Sequence, residues 1–266
     1  MYNYKSPKVI KIFYLNTAHL NLYRQHVPVP PSIYSNILLS LKLKKEGMKM
    51  KYSYINEMDI YNGPGVRISF FIQGQYNMYK NNASLNDFNN GKEFDKVVEN
   101  EIIRLASDKN ISGLTITGGE PFDQVSHLIN YHSYYTKKFY DLYNDYMDIS
   151  IDDVEKYYNT LSDNDLFEIN PIYHLVKRFK ETCGKSIWIY TIYNFNDLLL
   201  DKTQDKDIAI GSNICLKYID VIVNGRYIKD TIDFEKSLKS ESITKCIDVK
   251  RSLENNDIIT YAKEAK

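Results

Sequence analysis

Short apolar, β-branched runs alternate with stretches of helical spacing from about residue 51 onward. This alternation is typical of an α/β fold in which mainly parallel strands are joined by helices. Sheets of this kind place their ligand sites at the carboxyl ends of the strands. The strands are predicted over 66–72, 114–117, 187–191 and 219–223, and helices over 93–106, 172–182 and from 195 to 200.

Two segments depart from this alternation. Residues 1–50 contain a proline-rich break and are predicted to be an N-terminal extension or arm, which leaves 51–266 for the α/β domain. Residues from about 125 to 170 are rich in tyrosine and acids, with helical spacing in parts, and predict a helical insert. Tyrosines supply contact area at low entropy cost, so the insert is a candidate protein-binding surface. A partly exposed helical insert without a partner explains the same pattern.

The balanced charge of the chain argues against one class of protein. Its 34 Lys+Arg and 34 Asp+Glu give a formal net charge of zero, unlike a nucleic-acid binder driven by bulk charge. We found no apolar run of membrane-spanning length and no signal-peptide pattern, and we therefore expect a cytoplasmic protein without a membrane partner. The three cysteines are widely spaced, and the five histidines lack the spacing of metal ligands. We therefore expect neither a disulfide framework nor a metal site built from them.

Two glycine motifs flank predicted strands. The turn before the strand 66–72 contains Asn62, Gly63, Pro64, Gly65 and Arg67, and taken alone it is only a tight turn. The second motif, at 118–121, directly follows the strand 114–117. Two glycines at the carboxyl end of a strand allow backbone groups to approach the polar head of a ligand, and Glu120 could add a charge there.

The motifs occur in a fixed order with three later blocks, at 188–191, 220–227 and 247–253. In this order and spacing the chain resembles the anaerobic ribonucleoside-triphosphate reductase activating protein family, whose members are radical S-adenosylmethionine (SAM) enzymes. The resemblance covers roughly 51–124 and 172–261. It implies a radical SAM-type partial, open α/β barrel of about five or six strands.

The resemblance also implies a cofactor chemistry. Members of that family bind a [4Fe–4S] cluster through three cysteines spaced CxxxCxxC, and use it to cleave SAM and generate a glycyl radical on the large reductase subunit. Thiolates suit this task because soft sulfur ligands hold iron. By resemblance, the SAM-binding positions of this chain would be Asn81, Ala83, Gly118, Gly119, Glu120 and Pro121.

The chain departs from the family at the cluster itself. The three cysteine positions, counted from Gly74, hold Gln75, Tyr79 and Asn82. Amides are weak iron ligands, and a phenol would have to lose its proton first. The mixed set favours natural drift over deliberate removal. The three cysteines of the chain lie elsewhere and are interpreted as small buried or indifferent residues: Cys183, Cys215 and Cys246.

Three functions remain open from the sequence. The first is a pseudoenzyme that has lost its cluster, binds SAM weakly if at all, and acts as a binding or regulatory protein. Its partner would be a glycyl-radical ribonucleotide reductase large subunit, or another protein held through the tyrosine-rich insert. The second is an active activase whose cluster is held by Cys183, Cys215 and Cys246. The third is a SAM- or nucleotide-binding module without redox chemistry.

Overall fold

The computed structural model describes residues 49–74, 91–135, 149–203, 206–224 and 245–262. All of them belong to one compact unit, Lys49–Lys266. The predicted N-terminal extension therefore lies outside the described residues, except for its last two positions. The segment 75–90, which holds the predicted cluster positions, also lies outside them.

A seven-stranded sheet forms the centre of this part of the chain. Its strands are β1 (Lys51–Asp59), β2 (Val66–Ile72), β3 (Lys92–Glu93), β4 (Ile111–Gly118), β5 (Ser186–Thr191), β6 (Val221–Asn224) and β7 (Lys245–Asp248), in the spatial order β3-β1-β2-β4-β5-β6-β7. Strands β2, β4, β5 and β6 pair in parallel, while β1 and β7 run against their neighbours. The predicted α/β class with mainly parallel strands is confirmed, with seven strands where five or six were expected.

Seven helices and one short 3-10 turn, Phe195–Leu198, accompany the sheet in the described part of the chain. The helices are α1 (Lys96–Ala106), α2 (Pro121–Tyr135), α3 (Ile151–Asn159), α4 (Asp163–Ile169), α5 (Pro171–Cys183), α6 (Lys206–Leu216) and α7 (Val249–Asn255). Local sequence fixes several ends: the Asp95 carboxylate caps α1, and Gly184 ends α5 in the left-handed conformation, with φ of 65°. The helix predicted from 195 to 200 is only the 3-10 turn.

The helices that connect the parallel strands lie on one face of the sheet. The crossovers from β2 to β4, β5 and β6 all step in one direction, and their helices pack against one another, α1 on α5, α2 on α6 and α5 on α6. Ile187, Ile189 and Thr191 point to this helix-covered face, where Thr191 bonds Glu120 just before α2. The opposite face carries a buried cluster of Trp188, Tyr190, Val221, Val223 and Cys246.

The predicted insert is helical where the structure describes it, but its beginning belongs to the scaffold. Helix α2 starts at Pro121, directly behind β4, and continues into the predicted insert as far as Tyr135. Tyr158 is buried, with its hydroxyl accepting from Asn170 Nδ2 at 3.1 Å. Tyr131 and Tyr157 are half-buried. Only these three tyrosine side chains of the insert are described, and they give no support to a tyrosine-rich binding surface. The other tyrosine side chains of the insert lie outside the description, and their role stays a prediction.

Candidate functional site at the carboxyl edge of the sheet

The two glycines after β4 hold the ends of two neighbouring strands together. Gly118 has φ of 103°, and a Cβ there would lie 2.5 Å from the carbonyl oxygen of Ile72. A Cβ on Gly119 would lie 2.1 Å from the carbonyl oxygen of Gly74. The Gly119 N–H donates to Ile72 O at 2.7 Å and the Glu120 N–H to Gly74 O at 2.9 Å. These glycines therefore fix the point where the chain leaves β2 and enters 75–90.

Glu120 links β4, α2 and β5. Its carboxylate accepts hydrogen bonds from the Thr191 hydroxyl at 3.0 Å, the Ile192 N–H at 2.9 Å and the Phe122 N–H at 3.1 Å. Complete burial, helped by the nearby charge of Asp123, raises the pKa of Glu120 to about 8. The carboxyl group thus positions backbone at the predicted cofactor edge. Its part in SAM binding stays a prediction.

Sequence reasoning missed a second set of polar contacts at this edge. The Tyr193 hydroxyl donates to the buried carboxylate of Asp123, and Asn224 Nδ2 donates to the Tyr193 carbonyl. These bonds connect α2 with the ends of β5 and β6. The signal in the sequence was the polar residues that directly follow two predicted strands. Ile192 also contributes to this edge, because its N–H donates to the Glu120 carboxylate at 2.9 Å.

Gln124 closes the edge on the β2 side. Its Nε2 donates to the carbonyl of Gln73, and its Oε1 accepts from the Lys51 N–H at 3.3 Å. The side chain of Gln124 is buried. The side chains that reach from the start of α2 therefore contact the ends of β2, β5 and the start of β1, so this edge is held together by the chain's own polar groups.

The glycine turn before β2 lies at the other edge of the sheet. Because β2 has seven residues and rises about 3.3 Å per residue, its two ends are roughly 20 Å apart. The Arg67 side chain is buried and donates to Thr115 Oγ1 at 2.7 Å, Leu114 O at 2.7 Å and Ser186 Oγ at 2.8 Å. Its guanidinium lies 5.5 Å from the centre of the Trp188 ring. Burial lowers the pKa of Arg67 to about 10.

The turn itself is closed by Asp59. That carboxylate accepts from the Tyr61 N–H at 2.7 Å and from Asn62 Nδ2 at 2.6 Å. Burial opposes its charge, but these bonds and those from neighbouring groups outweigh the burial and lower the pKa of Asp59. The structure therefore gives the residues 62–67 a folding role. It does not bring them together with the glycines at 118 and 119.

The predicted cluster and SAM positions Gln75, Tyr79, Asn81, Asn82 and Ala83 lie outside the described residues. Gly74, the last described residue before them, belongs to the carboxyl edge through its bond with the Glu120 N–H. The segment that would hold a cluster thus leaves the sheet beside the two glycines. None of the residues 75–90 is a cysteine, so this segment offers no thiolate to a cluster.

The three cysteines are divided between the two faces of the sheet. Cys215 is buried in α6, with Sγ 3.2 Å from the carbonyl of Gly211, whereas Cys246 in β7 belongs to the cluster on the opposite face of the sheet. Cys183 ends α5, with Sγ 3.8 Å from Ile103 O. Burial raises the pKa of all three thiols, for Cys246 to about 11. Within the described ranges, no three His, Cys, Asp or Glu side chains are grouped to hold a metal ion.

The thiols of this chain therefore do not fit a cubane cluster. A cubane needs three cysteine sulfurs on neighbouring irons, and here the central sheet separates the α6 thiol from the β7 thiol. Buried thiols also resist the deprotonation that iron binding requires.

Among the helices that the structure describes, none has the length and apolar character of a membrane span.

The fold and the site define an α/β protein with a mainly parallel sheet and a double glycine at the carboxyl edge, beside the segment 75–90. The chain matches the family model of the 4Fe-4S single cluster domain over residues 61–161 and 160–247, and it belongs to this family. It is similar to anaerobic ribonucleoside-triphosphate reductase-activating proteins, as the sequence predicted. That of Haemophilus influenzae is 26% identical over 189 residues, 69% of this chain and 88% of the relative.

Two further relatives carry the same name. The protein of Enterobacteria phage T4 is 28% identical over 215 residues, which cover 78% of this chain and 96% of the relative. That of Escherichia coli K12 is 26% identical over 189 residues, 69% of this chain and 89% of the relative. The similarity spans most of each relative. The range matched by the family model includes both glycine motifs and the segment 75–90.

Proposed function

We propose that the chain is a radical SAM-like homologue of the reductase-activating proteins that has lost its [4Fe–4S] cluster and acts as a binding or regulatory protein. In this proposal the described sheet is part of an open barrel of the radical SAM type. The observation that carries it is the donor set. The cluster positions hold Gln75, Tyr79 and Asn82, and the thiols of the chain lie in layers that one cluster cannot join.

An active activase with unusual ligation is the second candidate. It would require Cys183, Cys215 and Cys246 to meet at one cluster, which needs a rearrangement of β7 relative to α6. Anaerobic reconstitution with iron and sulfide tests both candidates. We expect the desalted protein to contain no stoichiometric iron. If it retains about four irons per chain, and the Cys183→Ala/Cys215→Ala/Cys246→Ala variant does not, the active candidate replaces the pseudoenzyme.

A SAM- or nucleotide-binding module without redox chemistry is the third candidate. It is favoured by the two glycines and by the burial of polar groups at the carboxyl edge. The hydrogen bonds of Glu120 argue against this candidate, because its carboxyl group is already bonded to Thr191 and Ile192 instead of being open to a ligand. Calorimetry with SAM separates the candidates. We expect at most millimolar affinity, and a micromolar Kd would favour the binding module.

The partner in this proposal is an anaerobic ribonucleoside-triphosphate reductase, because the relatives are named as activating proteins of that enzyme. The family resemblance implies its large subunit. Sedimentation of the purified chain with a purified anaerobic reductase tests the partner. Co-migration at micromolar concentrations supports a retained docking surface. Separate migration at concentrations well above the micromolar range would contradict this choice of partner. The proposed loss of the cluster would not be affected by that result.

A further inference from the structure

His174 in α5 lies between two carboxylates that come from two other helices. Its Nδ1 is 2.6 Å from Glu99 Oε1 on α1, and its Nε2 is 2.8 Å from Asp163 Oδ1 at the start of α4. The imidazole side chain is only 3% exposed. The ring of Phe167 packs edge-on against it at 5.2 Å. One buried ring thus joins three helices, among them α4 of the predicted insert.

Each carboxylate has a second cation on its outer side. Arg178 donates to the other oxygen of Glu99 and, at 3.0 Å, to Asn100 Oδ1. Lys96 donates to Asp163 and, at 2.8 Å, to Asn164 Oδ1. The result is a chain of alternating charge that runs Lys96, Asp163, His174, Glu99, Arg178.

The protonation state of His174 follows from these contacts. When both carboxyl groups are ionised they only accept hydrogen bonds, so each ring nitrogen donates to one of them, and only the charged imidazolium has two N–H groups. Burial opposes the charge, but the hydrogen bonds to Glu99 and Asp163 outweigh it and raise the pKa of His174 above its usual value. The bond from Lys96, followed by that from His174, lowers the pKa of Asp163 to about 2.

Loss of the proton would not affect the two bonds equally. Glu99 is fully buried, whereas 71% of the Asp163 side chain is exposed to solvent. The buried carboxylate loses more without its donor, so the remaining proton stays on Nδ1. The Nε2 lone pair then faces a carboxylate oxygen of Asp163, and the two repel each other.

We propose that His174 is a proton-dependent clamp, which holds the start of α4 against α1 and α5 when charged and loosens it when neutral. The clamp's contribution to stability is complete below about pH 6.5, the pKa of an ordinary histidine. It is lost as the pH rises through the raised pKa of His174 in the folded state. This clamp is independent of the cluster and of any reductase partner.

Other titratable groups near α4 do not explain such a change. His132 of α2 approaches Asp165 and Glu168, but burial lowers the pKa of His132, so it is neutral throughout the relevant range. Asp163 itself titrates far below this range. Lys96 and Arg178 contact the outer oxygens of Asp163 and Glu99 and do not touch the imidazole. His174 is thus the group whose charge changes above neutrality.

Backbone amide exchange in α4, corrected for the intrinsic effect of pH, tests the clamp. Between about pH 6 and pH 9 we expect the protection of α4 to fall about tenfold or more relative to α6, the size of one charged hydrogen bond. In Asp163→Asn the side-chain amide can accept from imidazolium or donate to neutral imidazole, so protection should change little. Equal loss in both proteins, or none in the parent, would overturn the proposal, as would an NMR titration placing His174 at or below about pH 6.5.

Discussion

The Thr191 hydroxyl lies 3.0 Å from both carboxylate oxygens of Glu120, and this contact joins the end of β5 to the start of α2. Thr191→Val should lower the free energy of unfolding by about 1–3 kcal/mol, because a buried carboxyl group loses a hydrogen-bond partner while the side-chain shape hardly changes. Urea denaturation measures this. Thr191→Ser keeps the hydroxyl and should recover most of the loss, whereas equal losses in both variants would assign the effect to the methyl group.

Glu120 should give the protein a characteristic pH dependence. Because burial raises its pKa from 4.5 to about 8, the folded state binds a proton more tightly than the unfolded state between these values. Its contribution to stability is therefore present at low pH and is lost as the pH rises through about 8. The parent should lose more stability than Glu120→Gln between about pH 5 and pH 8 in urea denaturation. Parallel curves would contradict the buried, protonated carboxyl group.

Gly119 and Gly184 offer a matched pair of substitutions. A Cβ on Gly119 would lie 2.1 Å from the carbonyl oxygen of Gly74, whereas Gly184 has nothing within 4 Å and only a positive φ of 65°. We expect Gly119→Ala to cost more than about 2 kcal/mol of stability, since backbone must move. Gly184→Ala should cost about 1 kcal/mol from the left-handed conformation alone. The reverse order in thermal or urea unfolding would contradict the close approach of β4 to the end of β2.

The placement of the cysteines can be tested by thiol labelling. Cys215 and Cys246 are buried and Cys183 is partly exposed. In the native protein we expect slow modification of Cys183 and strong protection of the other two, with all three reacting in urea. Mass spectrometry of the modified peptides identifies the sites. Rapid native labelling of Cys215 and Cys246 would show that the layers described for these thiols are wrong.

Strands and helices with purely local signals were predicted well from the sequence. The buried apolar run Val66–Ile72 matches β2, and the predicted helix 172–182 lies within α5, which ends before Gly184. Strand β1 was missed because its polar residues and two irregular pairings with β2 hide the alternation. Strand β7 depends on antiparallel pairing with β6, which no local pattern specifies.

The candidate site was likewise predictable only where its signal is local in the sequence. The double glycine at 118 and 119 marked the carboxyl edge from the sequence alone, because such residues permit a close approach of backbone. The bond between Tyr193 and Asp123 spans 70 positions of the chain, and only the fold brings these residues together. The turn 62–67 precedes β2 in the sequence and so lies at the other edge of the sheet, where the Arg67 guanidinium is 5.5 Å from the centre of the Trp188 ring. A functional role for this turn stays a prediction.

In our proposal this scaffold lacks only the thiolates of the cluster. The most direct test compares the iron content of the parent with that of Gln75→Cys/Tyr79→Cys/Asn82→Cys after identical anaerobic reconstitution. We predict no stoichiometric iron in the parent, and about four irons per chain with the visible absorption of an iron–sulfur cluster in the variant. About four irons in the parent would contradict the loss of the cluster, and an iron-free but folded variant would contradict the retained scaffold.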